Sequence, residues 1–378
     1  MTSRPTAIDL FCGAGGLSEG LCQAGFEILA ANDFDKFAES TFRQQHPKTK
    51  FFSGPIERIS VKDIFVSLGL RKGELDCLAG GPPCQAFSVY NHQRGLHDYR
   101  SSLFREYLRI VEGLRPKWLI MENVPGMRDI GNGQTINEII YQLSRLGYAV
   151  QTRILKSEEF GVPQERRRLF FIGTNTDGTF FWPNPTHGYG KLDFVNVWNA
   201  ISDLPVLING QSGTGRPYPS KPQNAFQREL RRGQKIVNNH DAPRLAHINL
   251  ERMKYIPMGG NWTNIPEYLL PEGMKRARRC DHTKRYGRLD PNGLSSTVLT
   301  KCDLHWGAFI HPFQDRVLTV REAARIQSFP DNFEFKGPRT EQYIQVGNAV
   351  PVMLARCLGN SILAALTTHS YQNVACAS

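Results

Sequence analysis

No two of the eight cysteines stand in a Cys-x-x-Cys spacing. The residue pattern of a structural zinc site is therefore missing, and no metal site is expected. The cysteines lie at 12, 22, 77, 84, 280, 302, 357 and 376, and a disulfide framework does not suit a reducing compartment. No uninterrupted apolar run approaches the roughly 18 residues that a membrane helix needs. The opening residues, Met1 to Phe11, lead into an apparent strand without the apolar core of a secretory signal. These absences set the expectation of a cytoplasmic chain with no membrane partner. Internal repeats and low-complexity tracts are lacking too, which excludes solenoid and fibrous architectures.

What remains is the composition of a globular protein. Of 378 residues, 40% are hydrophobic and 21% charged, enough to bury a core in one or two domains. The formal net charge is +11. Between Asp177 and Asp290 there are 17 Lys/Arg against 10 Asp/Glu, so most of the excess lies there. A concentrated positive excess points to a polyanionic partner.

The first 175 residues alternate between short apolar runs and helical periodicity. Ala7–Phe11, Glu27–Asn32, Leu75–Ala79 and Lys117–Met121 read as buried strands. Residues from about Leu17 and from Asp35 to Gln45 read as helices. Leu103, Tyr107, Ile110, Val111 and Leu114 mark one face of another helix. Alternation of this kind predicts a mainly parallel sheet covered by helices. Tyr148–Leu155 and Arg167–Gly173 read as two closing strands. After Thr174 the chain is rich in Pro, Gly and Asn with poor periodicity, the mark of a second, loop-rich domain. A helical pattern returns at Val352–Leu366 and is expected to pack back onto the first domain, making it discontinuous.

Four segments carry residues suited to chemistry. Asp9-Leu-Phe-Cys-Gly-Ala-Gly-Gly16 puts glycines where a strand turns into a helix, so that the backbone can approach a ligand. Asp33 ends the next strand, where an acid can bind both hydroxyls of a ribose. Gly80-Gly-Pro-Pro-Cys-Gln85 places Cys84 in a rigid loop at the same sheet edge, beside backbone dipoles that favour thiolate. Met121-Glu-Asn-Val124 ends another strand and offers Glu122 as an acid, although capping a helix is the ordinary job of such a residue. Gln164-Glu-Arg-Arg-Arg168 opens a later strand, on which Arg166 and Arg168 share a face; alone it reads as a solvated charge run.

In their order along the chain these segments resemble the DNA cytosine-5 methyltransferase family, in its bacterial restriction-modification form. The likeness extends through Leu318-Thr-Val-Arg-Glu-Ala-Ala-Arg-Ile-Gln-Ser-Phe-Pro330 and Gln345-Val-Gly-Asn-Ala-Val-Pro351. It implies an α/β fold with the Rossmann-like sheet of S-adenosylmethionine-dependent methyltransferases and a smaller, loop-rich target-recognition domain. The expected division is 1–175 plus about 340–378 for catalysis and cofactor, with about 176–339 for target recognition and hinge. The resemblance assigns catalysis to Cys84, Glu122, Arg166 and Arg168. It assigns S-adenosylmethionine to Phe11, Gly13, Gly15, Gly16 and Asp33, with Phe34 and Ile56 flanking the adenine and Pro83, Leu103, Asn348 and Val350 on the methionine side. Gln85, Ser88, Arg94 and Arg100 fall in the family's catalytic loop and are expected to contact double-stranded DNA. A monomer working alongside a restriction endonuclease is the expected context. One departure stands out: Pro55 occupies the place of the family's acid near the adenine amino group, so that either Glu57 compensates or that contact is missing.

Rival readings meet obstacles in the same residues. The tRNA-modifying branch of the family carries a Cys-Phe-Thr signature that this chain lacks. An inactive DNA-binding paralogue would not need Cys84, Glu122 and Arg168 together. A nicotinamide oxidoreductase would account for the first glycine turn and for none of the later segments.

Overall fold

The computed structural model describes residues 4–83 and 101–375, apart from the side chains of 101–102, 129–132 and 368–375. The chain divides into two compact units. The first comprises residues 1–156, 167–185 and 350–378, and the second comprises 157–166 and 186–349. The sequence pattern placed the boundaries near 175 and 340. The structure instead moves the ten residues before Arg167 and the helix Arg339–Asn348 into the second unit.

The first unit is built on a seven-stranded sheet. Its strands are β1 (Thr6–Leu10), β2 (Glu27–Asp33), β3 (Lys50–Ser53), β4 (Cys77–Gly80), β5 (Trp118–Asn123), β6 (Ala149–Lys156) and β8 (Arg167–Thr174). The intervening β7 (Gln164–Glu165) belongs to the second unit. Strand order is β3-β2-β1-β4-β5-β8-β6. The pairs from β3 to β5 are parallel, whereas β8 runs antiparallel to both β5 and β6, so the sheet is mixed at one edge. The inner strands are buried nearly end to end, the pattern expected when helices cover both faces.

Those helices include α1 (Gly16–Ala24), α2 (Lys36–Gln45), α3 (Val61–Leu68), α4 (Ser101–Leu114) and α5 (Gln134–Arg145). Local sequence sets their starts. Asp35 caps α2 by accepting from the Phe37 and Ala38 amides at 2.7 and 2.9 Å, and Ser60 caps α3 through the Asp63 amide at 3.0 Å. The periodic face read in the sequence, Tyr107, Ile110, Val111 and Leu114, lies buried in the main core.

The helix Val352–Ala375 packs on α1, and glycine makes the approach possible. A Cβ at Gly20 would lie 2.4 Å from the Ala355 side chain, and one at Gly359 would lie 2.7 Å from Ala24. The stretch Arg339–Thr367 is long and apolar enough by composition to cross a membrane, but the chain leaves the helix at Ala349–Pro351 and the apolar window is 61% buried. It reads as core.

In the second unit regular structure is sparse. β7 pairs with Ser295–Ser296, Gly287–Arg288 pairs with Ala308–Ile310, and short helices fill the rest. Buried arginines supply much of the order. In the helix Val320–Ile326, opened by a reciprocal cap between Thr319 and Glu322, Arg325 grips Asp331 through Nε and Nη2 at 2.9 and 2.6 Å. It also holds Asp203 and donates to the Ala200 carbonyl. Arg316 makes a two-pronged pair with Glu322 at 2.7 and 2.8 Å, and Arg321 donates to the carbonyls of Asn238, Pro330 and Phe333. Burial alone would raise the Asp331 pKa, but the adjacent Arg325 reverses this and holds it at about 2. Removing one partner of a buried pair leaves a charge without compensation. Arg325→Met is therefore expected to lower the unfolding free energy by about 3–5 kcal/mol in urea titrations, and near-wild-type stability would show the network to be dispensable.

Candidate active site at the carboxyl edge of the sheet

The order β3-β2-β1-β4-β5 reverses direction between β1 and β4, and ligands of such sheets bind beyond the carboxyl ends of the strands at that point. Four strand ends of the first unit deliver polar groups there.

After β1, Phe11 and Gly13 have φ of 55° and 53°, and Gly15 has φ of 99°. The Gly15 amide donates to the Cys12 carbonyl at 2.9 Å, closing the turn that opens α1 at Gly16. A Cβ at Gly15 would sit 2.8 Å from the Phe42 ring, whereas one at Gly13 would meet nothing within 4 Å. Gly15 is thus required by packing, and Gly13 leaves an open approach to the backbone. Asp33, at the end of β2, ties this turn down. Its Oδ2 accepts from the Gly13 amide at 2.7 Å and its Oδ1 from the Asp35 amide at 2.9 Å. Burial raises the Asp33 pKa, against the lowering effect of those amides. Each carboxylate oxygen retains a lone pair beyond the one that holds the turn. Phe34, next in sequence, is 75% exposed.

These features fit the chemistry of a nucleoside-bearing cofactor: open backbone beside Gly13, an acid for the ribose, and an open ring face for a base. Ile56, expected to flank the adenine with Phe34, is instead 2% exposed within the main core, so only Phe34 of that pair offers a free face. Pro55 is exposed and supplies no donor, and Glu57 is exposed beside it. Asn32 shapes this edge by donating to the carbonyls of Phe52 and Gly54 at 2.8 and 2.9 Å, a role the sequence did not announce.

The ends of β4 and β5 meet. A Cβ on Gly81 would lie 3.3 Å from Oε2 of Glu122, so the glycine brings its backbone against that carboxylate. Asn123, adjacent to Glu122, donates through Nδ2 to the Pro82 carbonyl at 3.1 Å, while its Oδ1 accepts from the Val124 amide. Arg168, on β8, pairs with Glu122 with Nε to Oε1 at 2.7 Å. The carboxylate is thereby pointed and charge-balanced at the root of the segment that continues into Cys84. Cys84, Gln85, Ser88, Arg94 and Arg100 themselves lie outside the described residues. Pro83 and Leu103 are partly buried in the first unit, and Val350 is buried there.

Arg166 and Asn348 belong to the second unit. The guanidinium of Arg166, 1% exposed, donates to the carbonyls of Val298, Gly347 and Ala349 at 3.1, 2.9 and 2.9 Å. These hydrogen bonds hold the backbone around the exposed Asn348, a structural role that the sequence expectation for Arg166, orienting the base and the groups around it, did not include. Gln164 works alongside it, accepting from the Val298 amide at 2.7 Å and donating to Gln327 at 2.9 Å. Three of the sequence segments are thus locked into one polar lattice.

A doubly wound sheet with an antiparallel β8, a glycine turn and an acid at the end of β2 defines an α/β fold of methyltransferase type. Comparisons with known proteins narrow it. Residues 6–364 match the C-5 cytosine-specific DNA methylase family. The Type II methyltransferase M.AgeI of Thalassovita gelatinovora is 34% identical, covering 95% of this chain and 99% of its own length. M.DdeI of Desulfomicrobium norvegicum, another Type II methyltransferase, is 34% identical over 94% of this chain and 88% of its own. A prophage-encoded E. coli protein described as a DNA modification methyltransferase superposes with a TM-score of 0.78 at 26% identity, covering 96% of this chain and 99% of its own. The chain belongs to the C-5 cytosine-specific DNA methylase family, and its activity is that of a DNA cytosine-5 methyltransferase.

One buried group gives this site a pH signature. Asp9, on β1, is 1% exposed and accepts from Ser18 Oγ at 2.6 Å. Burial lifts its pKa to about 7 despite the Ser18 bond, and the nearby Asp33 adds to the rise. The folded state therefore holds a proton that the unfolded chain releases near pH 4, and stability falls as pH rises from about 4 to 7. Asp9→Asn keeps an acceptor for Ser18 and is expected to flatten that slope, which can reach about 1.4 kcal/mol per pH unit. Chemical denaturation of both proteins across this range checks it, and equal slopes would show that Asp9 is ionised throughout.

Proposed function

We propose that this protein methylates C5 of one cytosine within a specific double-stranded DNA sequence, with Cys84 as covalent nucleophile. The observation that carries the reading is the Glu122–Arg168 pair set against Gly81, at the root of the Pro82-Pro83-Cys84 segment. C5 of cytosine is a poor nucleophile. Addition of the Cys84 thiolate to C6 makes C5 enamine-like and able to take a methyl group. Glu122 contacts N3 and the exocyclic amine and offsets charge as sulfur adds, with Arg168 holding the carboxylate in place. Loss of the C5 proton and of Cys84 then releases 5-methylcytosine. The base must leave the duplex for this, at a cost of a few kcal/mol, and Gln85, Ser88, Arg94 and Arg100 are assigned to the loop that closes over it.

Family membership implies use of S-adenosylmethionine, whose sulfonium methyl is the group transferred. The backbone at Phe11, Gly13, Gly15 and Gly16, Asp33 on the ribose and Phe34 on the adenine would hold it, with Pro83, Leu103, Asn348 and Val350 toward the methionine end. Residues of the second unit recognise the target sequence. The names of the Type II relatives support a role in protecting DNA from a cognate restriction endonuclease. The enzyme itself is proposed to be cytoplasmic and to act as a monomer.

Cys84→Ser is expected to lose methylation by orders of magnitude while keeping duplex affinity, because phosphate contacts supply most of that affinity. Duplexes carrying 5-fluorocytosine should trap the wild-type protein covalently, since fluorine does not leave as a proton does. Bisulfite sequencing of exposed DNA gives both the activity and the target, and wild-type turnover in Cys84→Ser refutes the mechanism. Asp33→Ala is expected to weaken S-adenosylmethionine binding by about 1–3 kcal/mol in calorimetry without DNA. Unchanged affinity would remove Asp33 from the cofactor site.

A further inference from the structure

The second unit contains two segments, 257–262 and 274–279, that between them carry glycine, asparagine and four basic residues. They form one object. Trp262 is 1% exposed and shares a core with Met274 and Tyr286, so both ends of the run 274–286 are anchored. Its indole Nε1 donates to the Asp281 carbonyl at 3.1 Å, and its amide donates to the Arg285 carbonyl at 3.1 Å. The Arg279 guanidinium lies 5.6 Å from the centre of the Trp262 rings and donates to the Thr263 carbonyl at 2.7 Å. Arg278 grips the Asp281 carboxylate with two nitrogens at 3.0 and 3.1 Å, and Lys275 pairs with Glu272. The side chains of Asn261 and Asn264 cap each other's backbone.

Half of this basic run therefore builds the turn. The other half faces outward: Arg276, His282 and Lys284 are exposed, and their side chains have no hydrogen bond or ion pair among the described residues. His282 and Tyr286 hold φ of 52° and 49°, left-handed values that are unfavourable for a non-glycine residue. The Trp262 mount sustains that backbone. A phosphate anchor needs only a cation within reach, whereas a base-edge contact needs a side chain held to a fraction of an ångström. A stiff mount carrying free donors suits the second task. Arginine and lysine donate only, and the acceptor pair O6 and N7 of guanine is their complement in the major groove.

We propose that Arg276, His282 and Lys284 read base pairs of the target sequence, chiefly guanines, and that Arg278 and Arg279 are positioning residues that keep the turn in shape. This rests on the reading that the second unit recognises the target. The test uses the full-length protein with single substitutions, its methylation of duplexes carrying the target or one-pair variants of it, and its melting temperature. Arg276→Ala, His282→Ala and Lys284→Ala are expected to melt and bind S-adenosylmethionine as wild type does. Their kcat/KM on the target should fall about tenfold or more, with discrimination relaxed at individual G·C positions. Arg279→Ala should lower both melting temperature and discrimination. Arg279→Lys, which keeps the charge but not the planar stack, should leave discrimination relaxed. Wild-type discrimination in all three reader variants overturns the proposal, as does a uniform loss over all sequences with a shallower salt dependence, the mark of phosphate contact. Exchange of residues 177–300 with those of a relative of different target separates the two levels. A transferred target with unchanged reader variants refutes only these residues, whereas an active chimaera that keeps its original target refutes the underlying reading.

Discussion

A unit with few strands and short helices still has to satisfy its backbone carbonyls, and here buried guanidinium groups do much of that. Four of the largest fully buried side chains are arginines, at 166, 316, 321 and 325. Arginine suits the task because one planar group presents five donors in fixed directions. Arg166 and Arg321 take mainly carbonyls, whereas Arg316 and Arg325 take carboxylates. The cost of burying each charge is offset only where several partners converge. Convergence of that kind forces segments distant in sequence into one arrangement: Gln164 to Arg166, Val298, and Gly347 to Ala349 are fixed together. Each of those residues depends on the others for its hydrogen bonds.

The first unit works by a different constraint. Its parallel strands all end on one edge, and a reversal of strand order leaves a gap there. Small residues then let main chain do what side chains would obstruct. Gly80 is pressed between the Leu10 carbonyl, 2.9 Å from where its Cβ would be, and the Tyr107 ring, and Gly81 lies against Glu122. The acidic groups at this edge stand in unlike surroundings. Asp9 is sealed and hydrogen-bonded to a hydroxyl, Asp33 holds two amides, and Glu122 faces a guanidinium. Three carboxyl groups a few residues from strand ends thus acquire three separate electrostatic characters from their neighbours.

How much of this could be read from sequence follows from the range of each interaction. Strands such as Cys77–Gly80 and the helix Ser101–Leu114 announce themselves because burial imposes a local period. β3 escapes notice because Lys50 and Ser53 leave only two apolar residues between them, and α3 because only Ile64 is buried on it. The antiparallel setting of β8 is a property of pairing, which no single strand displays. The place of Asp33 at the end of β2 was legible because a strand end is a local fact. The carbonyl grip of Arg166 was not, since Gly347 lies 181 residues away, and a charge run offers no hint that one of its members turns inward. The same holds for Arg278 and Arg279, which look like free cations in the sequence and are tied to Asp281 and to Trp262 in the structure.

Chemistry and recognition place opposite demands on a chain, and on the proposed reading the two units answer them separately. A reacting cytosine needs groups fixed on rigid elements, and Glu122, Asn123 and Arg168 sit on paired strands. Asn123 goes further by holding the Pro82 carbonyl, so the segment that leads to Cys84 departs from the sheet at a fixed point. Proline at 82 and 83 narrows the backbone directions available from that point onward. Recognition instead needs donors displayed on loops whose sequence can vary without disturbing a core. On that reading the Trp262 turn meets this by resting its structural work on Trp262, Met274, Arg278, Arg279, Asp281 and Tyr286, while the exposed side chains of Arg276, His282 and Lys284 take no part in it. Exposed positions on a fixed mount can be exchanged with little loss of stability, and on the proposed reading that separation lets the readers vary while the catalytic sheet stays the same.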